Sequence, residues 1–206
     1  CTPSDAKGRT VTTQTYPPIA YVVIPRSRVT TVALMVGFAL LTAAAAQITI
    51  PIPGTPVPIT GQTFAVLLAG AALGPWAGAG SQAIYWTLGA LGLPFYSEAS
   101  GGWEAATGAT AGYLFGFIVA AWVVGALAEK GQDRNVWSAI PAFLTGNAVI
   151  YLFGVTWLLV SVEAFSTVGQ ALDAGLTPFV IGDAVKIVLA GLLLPVAWKM
   201  VDAAKR

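Results

Sequence analysis

No acidic or basic side chain occurs between Arg28 and Glu98, between Glu104 and Glu129, or between Arg134 and Glu163. A water-exposed surface cannot be built from such runs, because a soluble domain takes roughly 25–35% of its surface from charged residues. Lipid is the solvent they suit. Composition agrees: 56% of the 206 residues are hydrophobic and only 9% are charged, against about 25% charged in an ordinary soluble domain. The chain therefore reads as an integral, multi-pass protein of the cell membrane.

Gly and Pro divide the apolar sequence into six segments, at about 29–47, 61–73, 76–91, 111–127, 136–160 and 178–200. The first, fourth, fifth and sixth approach or exceed the ~20 residues that cross a bilayer core. The second and third, separated by Gly74-Pro75, are short and interrupted, a pattern that points to a substrate cavity in membrane proteins. Prolines at 51, 53, 56 and 58 predict a rigid extended loop rather than a strand. The Gly- and Ser-rich stretch 92–113 is long enough to act as a lid. Between Ser161 and Thr177, Phe165, Val168, Ala171 and Leu172 recur at helical spacing, as an interfacial amphipathic helix requires.

Six spans place both termini on one side. The basic residues choose that side: Lys7, Arg9, Arg26 and Arg28, the turn with Lys130 and Arg134, and the tail with Lys199, Lys205 and Arg206 all share it, whereas the other three loops carry no Lys or Arg. By the positive-inside rule the termini are cytoplasmic. The expected fold is an all-α membrane protein, a six-transmembrane-helix bundle over 29–206, preceded by an extended cytoplasmic leader at 1–28.

Two charges break the apolar pattern inside a span. Asp183 and Lys186 stand i, i+3 on the last helix, so they share a face and can touch. A charge in mid-membrane costs at least ~2.5 kcal/mol on insertion scales, so the pair must face a cavity, a partner or each other. At 1.5 Å per residue they lie ~8 and ~12 Å below Pro178, within reach of the outer loops. A pair that only staples helices is the structural alternative. Otherwise this is a capture site for a small solute with polar ends.

Other chemistry is excluded by absence. The chain has no histidine, which removes Ser-His and Cys-His nucleophile pairs, HExxH zinc sites and His-based proton relays. Its one cysteine, Cys1, allows no intrachain disulfide. A net charge of +1 gives no nucleic-acid footprint. No Gly-x-x-x-x-Gly-Lys-Ser/Thr motif is present, so this chain has no ATP site of that kind. Neither a cofactor, a metal site nor an enzymatic activity is expected.

The segments AQITIPIPGTPVPITGQTF (46–64), LGALGLPFY (88–96), Gly101-Gly102, TGATAGYLFGF (107–117) and PFVIGDAVK (178–186) together resemble the BioY family. Members of that family are the biotin-specific S components of energy-coupling factor (ECF) vitamin transporters. The resemblance covers the chain from the first to the last helix, in order. It implies a six-helix protein that takes biotin from outside and docks on a transmembrane T component carrying two ATPases. The family's Gly-Pro-Thr-Gly-Gly-Tyr is here Gly108-Ala109-Thr110-Ala111-Gly112-Tyr113, and acidic Glu98 and Glu104 stand at the entrance.

Biotin has two ureido N–H donors, a carbonyl acceptor, an apolar body and a carboxylate. Asp183 is expected to accept from the ureido N–H and Lys186 to donate to its oxygen, both charge-assisted. Gln62, Thr60, Ser100 and the amides of Gly101 and Gly102 are candidates for the carboxylate or ring. Trp86, with Phe95, Tyr96 and Trp103, is a candidate to cover the apolar body, and Tyr113 and Asn147 are further candidates that serve equally as helix bridges. On the first helix, Ala33 and Gly37, and Ala39 and Ala43, have small-xxx-small spacing. The family resemblance implies that Ala39 and Ala43 dock on the T component. An S component for another vitamin, and a stand-alone ion- or proton-coupled facilitator using Asp183, are the alternatives. Action alone, action as a homo-oligomer and action with a coupling module are the three modes such a chain could use.

Overall fold

A computed structural model describes residues 15–205. The chain is mostly helical: α1 (Ile19–Val23), α2 (Arg28–Ala46), α3 (Gln62–Leu73), α4 (Pro75–Ala90), α5 (Trp103–Thr107), α6 (Ala111–Ala128), α7 (Val136–Ser161), α8 (Val168–Gly175) and α9 (Val180–Ala204). Among the described residues, four stretches are long and apolar enough to cross a membrane: α2, α6, α7, and the run Val168–Ala204 that contains α8 and α9. At 12 and 16 residues, α3 and α4 are shorter.

The centre of the bundle is α6, packed against α3, α4 and α7. Of its apolar stretch 56% is buried, against 22% for α2, which lies at the edge. Small residues make the centre possible. A Cβ at Gly70 would strike the Ala121 carbonyl, and one at Gly125 would strike the Gly74–Pro75 backbone. Where lipid supplies no hydrophobic drive, close approach of this kind is what holds helices together. Gly74 adopts a φ of 79°, which only glycine takes without cost. Pro75 then opens α4 at a position that needs no N–H.

Ser27 and Thr30 form a reciprocal capping box at the start of α2, and Thr167 with Gln170 does the same for α8. Each satisfies N–H groups that the first helical turn leaves unpaired. The amphipathic helix expected between 161 and 177 is thus α8, with Ala171 and Ala174 buried and Val168 and Leu172 exposed.

Two local expectations need correction. The proline-rich loop is closed by a two-stranded antiparallel ladder, β1 (Thr49–Ile50) and β2 (Ile59–Thr60), pairing Thr49 with Thr60 and Ile50 with Ile59. The prolines all fall between the strands, so none removes a ladder donor. The leader is not wholly extended either. Residues 1–14 lie outside the described residues, but Ile19–Val23 forms α1, which packs on α3 and α9 with Ile19 buried.

The turn between α6 and α7 joins Tyr16, just before α1, and Trp198 of α9 in one cluster. The Tyr16 N–H donates to the Glu129 carbonyl at 2.7 Å. The Arg134 guanidinium stacks 4.4 Å from the Tyr16 ring and 4.1 Å from that of Trp198. Buried Asp133 accepts from the Trp198 indole at 2.6 Å. Burial pushes the Asp133 carboxyl up, an effect that the indole hydrogen bond and Arg134 only partly oppose.

Candidate functional site

At the other end of the bundle, α3, α6, α7 and α9 surround a small cavity of about 60 Å³. That is below the ~300–1,000 Å³ of a small-molecule site, so a ligand of that size enters only as the lining side chains and loops move apart. Its apolar wall includes Leu114, Phe117, Ile150 and Phe179, and its polar groups include Thr60, Gln62, Thr63, Tyr151, Asp183 and Lys186. Val57, Pro58, Tyr96 and Ser97, from the two loops, close the top.

Asp183 lies in the first turn of α9, where the helix dipole favours a negative charge. The side chains of Asp183 and Lys186 are 5% and 17% exposed, with Lys186 Nζ 2.8 Å from Asp183 Oδ1. Thr63 completes a triangle: Lys186 Nζ donates to Thr63 Oγ1 at 3.1 Å, and Thr63 Oγ1 donates to Asp183 Oδ1 at 3.3 Å. On the other oxygen, Oδ2, Asn147 Nδ2 donates at 3.0 Å and the Tyr151 hydroxyl makes a short bond. A carboxylate has about four acceptor positions, and all four are filled. Lys186 uses two of its three donors on Asp183 and Thr63 and keeps one for the cavity.

A ligand N–H reaching Asp183 therefore has to take the place of an existing donor. The geometry gives Asp183 a second task, which is to fix and neutralise Lys186. Removing one partner of such a buried pair leaves an uncompensated charge, at a cost of about 3–5 kcal/mol.

The remaining candidates divide. Thr60 and Gln62 line the cavity and are joined by a 2.7 Å bond from Thr60 Oγ1 to Gln62 Oε1, while Gln62 Nε2 donates to the Tyr85 hydroxyl. Tyr113 presents its ring there, but its hydroxyl is committed to the Gly175 carbonyl at 2.6 Å. Asn147 lies behind Asp183, lining a separate apolar groove between α7 and α9. Trp86 lines another groove and meets Trp103 edge-to-face at 6.2 Å.

Ser100, Gly101 and Gly102 do not line the cavity. Ser100 Oγ donates to the Ser97 carbonyl at 2.7 Å and faces an outer groove. Gly101 is pressed against Leu93, and Gly102, at φ 94°, turns the chain into α5. Sequence reasoning passed over Thr63 and Tyr151. Both had a signal: Thr63 follows Gln62, and Tyr151 is one helical turn beyond Asn147 on α7.

Ala39 and Ala43 are also corrected. They are 0% and 7% exposed, inside the core cluster with Tyr85 and Tyr96. The outward face of α2 instead carries Ala33, Gly37, Leu40, Leu41 and Ala44. Both pairs have the same spacing, but they lie on opposite sides of the helix.

Fold and site together define an α-helical integral membrane protein with a polar chamber among its helices. The fold is similar to that of the S-component for biotin from an ECF-type ABC transporter, whose 2.1 Å crystal structure matches with a TM-score of 0.75 at 24% identity, covering 84% of this chain and 92% of that one. Residues 15–203 match the BioY family model, and the chain belongs to the BioY family. It is 40% identical over 144 residues to the biotin transporter BioY of Thermotoga maritima, covering 70% of this chain and 82% of the relative. It is 39% identical over 162 residues to the probable biotin transporter BioY of Pyrococcus horikoshii, covering 79% and 92%.

Proposed function

We propose that this protein is the biotin-binding S component of an ECF transporter. It captures biotin in the chamber around Lys186 and Asp183 and delivers it inward with a T component and its ATPases. The observation that carries the reading is the buried Lys186–Asp183–Thr63 triangle on the wall of a largely apolar chamber. Membership of a family whose relatives are named biotin transporters supplies the ligand. The free donor of Lys186 suits the ureido oxygen, the wall of Leu114, Phe117 and Ile150 suits the thioether ring, and Thr60 and Gln62 suit a polar end. Binding and transport, not catalysis, is the task these groups suit.

In this reading α2, α3, α4, α6, α7 and α9 are six spans of the cell membrane, and the short α3 lines the cavity, as interrupted segments do in transporters. Both termini are cytoplasmic, because the loops at the chamber end contain no Lys or Arg. The chamber then opens outward. The chain has no Walker motif of its own, so uptake against a gradient draws on partner ATPases. The open face of α2 is the surface offered to the T component. Asp183 is poorly suited to a proton relay in a stand-alone facilitator, since donors already occupy its acceptor positions.

The test is a titration of the purified chain with biotin. Saturable binding to one site is expected, with desthiobiotin competing and thiamine and riboflavin inert. Binding of a different vitamin, with none of biotin, would transfer the chamber to that ligand.

A further inference from the structure

The side chain of Gln47 ties the end of α2 to the loop over the chamber. It caps the helix, with Nε2 donating to the Ala43 carbonyl at 3.0 Å and across to the Tyr96 carbonyl at 3.1 Å, while Oε1 accepts the Ala99 N–H at 3.0 Å. Both N–H donors and the carbonyl are thus engaged, and only this orientation of the amide fits two carbonyls and one N–H. Its partners span Tyr96–Ala99, the segment whose Tyr96 and Ser97 close the chamber.

A second observation concerns the same segment. Glu98 and Ala99 are the only non-glycine residues with positive φ among the described residues, at 59° and 53°. The left-handed region is costly for a residue with a Cβ, and two in succession persist only where surrounding contacts enforce them. Ser100 N–H to the Ser97 carbonyl and Tyr96 N–H to the Ser100 carbonyl close the turn from within. Gln47 is the side-chain contact that holds it from outside.

The same turn divides two spaces. Ser97 and Pro58 line both the chamber and a groove on the outer surface bounded by Pro51, Thr55, Glu98 and Ser100. Moving residues 97–99 away from Pro58 would join the two spaces.

We infer that Gln47 is the latch of this lid, a positioning residue that sets how fast a bound ligand leaves through the outer groove. The strained turn favours opening and the Gln47 amide opposes it. Because Gln47 also caps α2, the least buried of the four membrane-length stretches, a displacement of α2 transmits directly to the lid. The inference rests on the chamber being the ligand site, and its test separates the two claims.

One arm measures release of radiolabelled biotin from the purified chain after a chase. Gln47→Leu should bind the same number of ligands as wild type and melt close to it, yet release biotin about 10-fold faster, the scale of one or two lost net hydrogen bonds. Gln47→Glu, which sets a carboxylate oxygen against the Ala43 and Tyr96 carbonyls in place of both donors, should release biotin at least as fast and serves alone if the Leu variant does not fold. The other arm needs no ligand. Thr110 also lines the chamber, and in a Cys1→Ser, Thr110→Cys chain the thiol placed there should react faster with a soluble maleimide when Gln47 is replaced. If wild type does not bind biotin, the proposed function fails while the thiol rates still report on the latch. Unchanged thiol reactivity in a folded Gln47 variant, or unchanged release where biotin binds, would overturn it.

Discussion

Lys186 Nζ lies 2.8 Å from Asp183 Oδ1, one turn further along α9. The spacing alone permits this contact, but Thr63 and the two α7 donors turn it into a closed network. Lys186→Met should reduce biotin affinity by about 2 kcal/mol or more, because a charge-assisted donor to the ligand is lost. Asp183→Asn should lose binding and also lower the melting temperature, since it unpairs Lys186 and disturbs all four donors. Calorimetric titration with thermal unfolding of the same preparations checks both. Two folded variants binding like wild type would reduce the pair to a helix staple.

Tyr151 should behave differently. Its hydroxyl occupies an acceptor position on Asp183 that a ligand N–H could use. Tyr151→Phe removes a bond to a charged group, costing about 1.5–3 kcal/mol of stability, and opens that position. Biotin affinity should hold or rise while thermal stability falls. A loss of affinity as large as that of Lys186→Met would show instead that the phenol touches the ligand.

The burial of Ala39 and Ala43 reverses what spacing alone implies for α2. Ala39→Trp and Ala43→Trp should fail to fold or lose biotin binding, because their Cβ atoms point into the core. Ala33→Trp and Gly37→Trp should leave the isolated protein folded and biotin-competent while preventing assembly with a T component. Size-exclusion profiles, biotin titration and co-purification distinguish these outcomes, and loss of biotin binding in the folded Ala33 variant would refute the assignment of faces.

Orientation is open to direct labelling. In a Cys1→Ser background, a cysteine at Ser100 should react with an impermeant maleimide on intact cells, and one at Gln132 only after permeabilisation. The opposite pattern would place the chamber on the cytoplasmic side.

Asp133 predicts a pH dependence. Its carboxyl is raised by burial, so the folded state prefers the protonated form. The stability tied to this group is fully present below the unfolded value near 3.8 and is lost as pH rises through the folded value. Asp133→Asn should therefore raise the melting temperature at pH 7, retaining an acceptor for the Trp198 indole, and the gain should vanish near pH 3.5. A lower melting temperature at pH 7 would show that the attraction of Arg134 outweighs burial.

The sequence by itself determined the solvent, the helices and the pair. Runs without charge fix a membrane environment, and Gly74-Pro75 and the proline cluster fix the interruptions, because hydration cost and backbone sterics act locally. For the same reason Asp183 and Lys186 were legible: a charge in lipid demands an explanation wherever it occurs. Only the tertiary structure decided which side chains meet. Tyr151 and Thr63 come from helices remote in sequence from Asp183, and no spacing rule reaches across α3, α7 and α9. It also decided that Ser100, Gly101 and Gly102 shape a turn, and that Ala39 and Ala43 face inward. A helix wheel gives relative angles, but its absolute rotation is set by packing, here the seat of α2 against α3 and α4. The register of Gln47 against Tyr96 and Ala99 belongs to the same class, since a hydrogen bond between segments that far apart exists only once the bundle has closed.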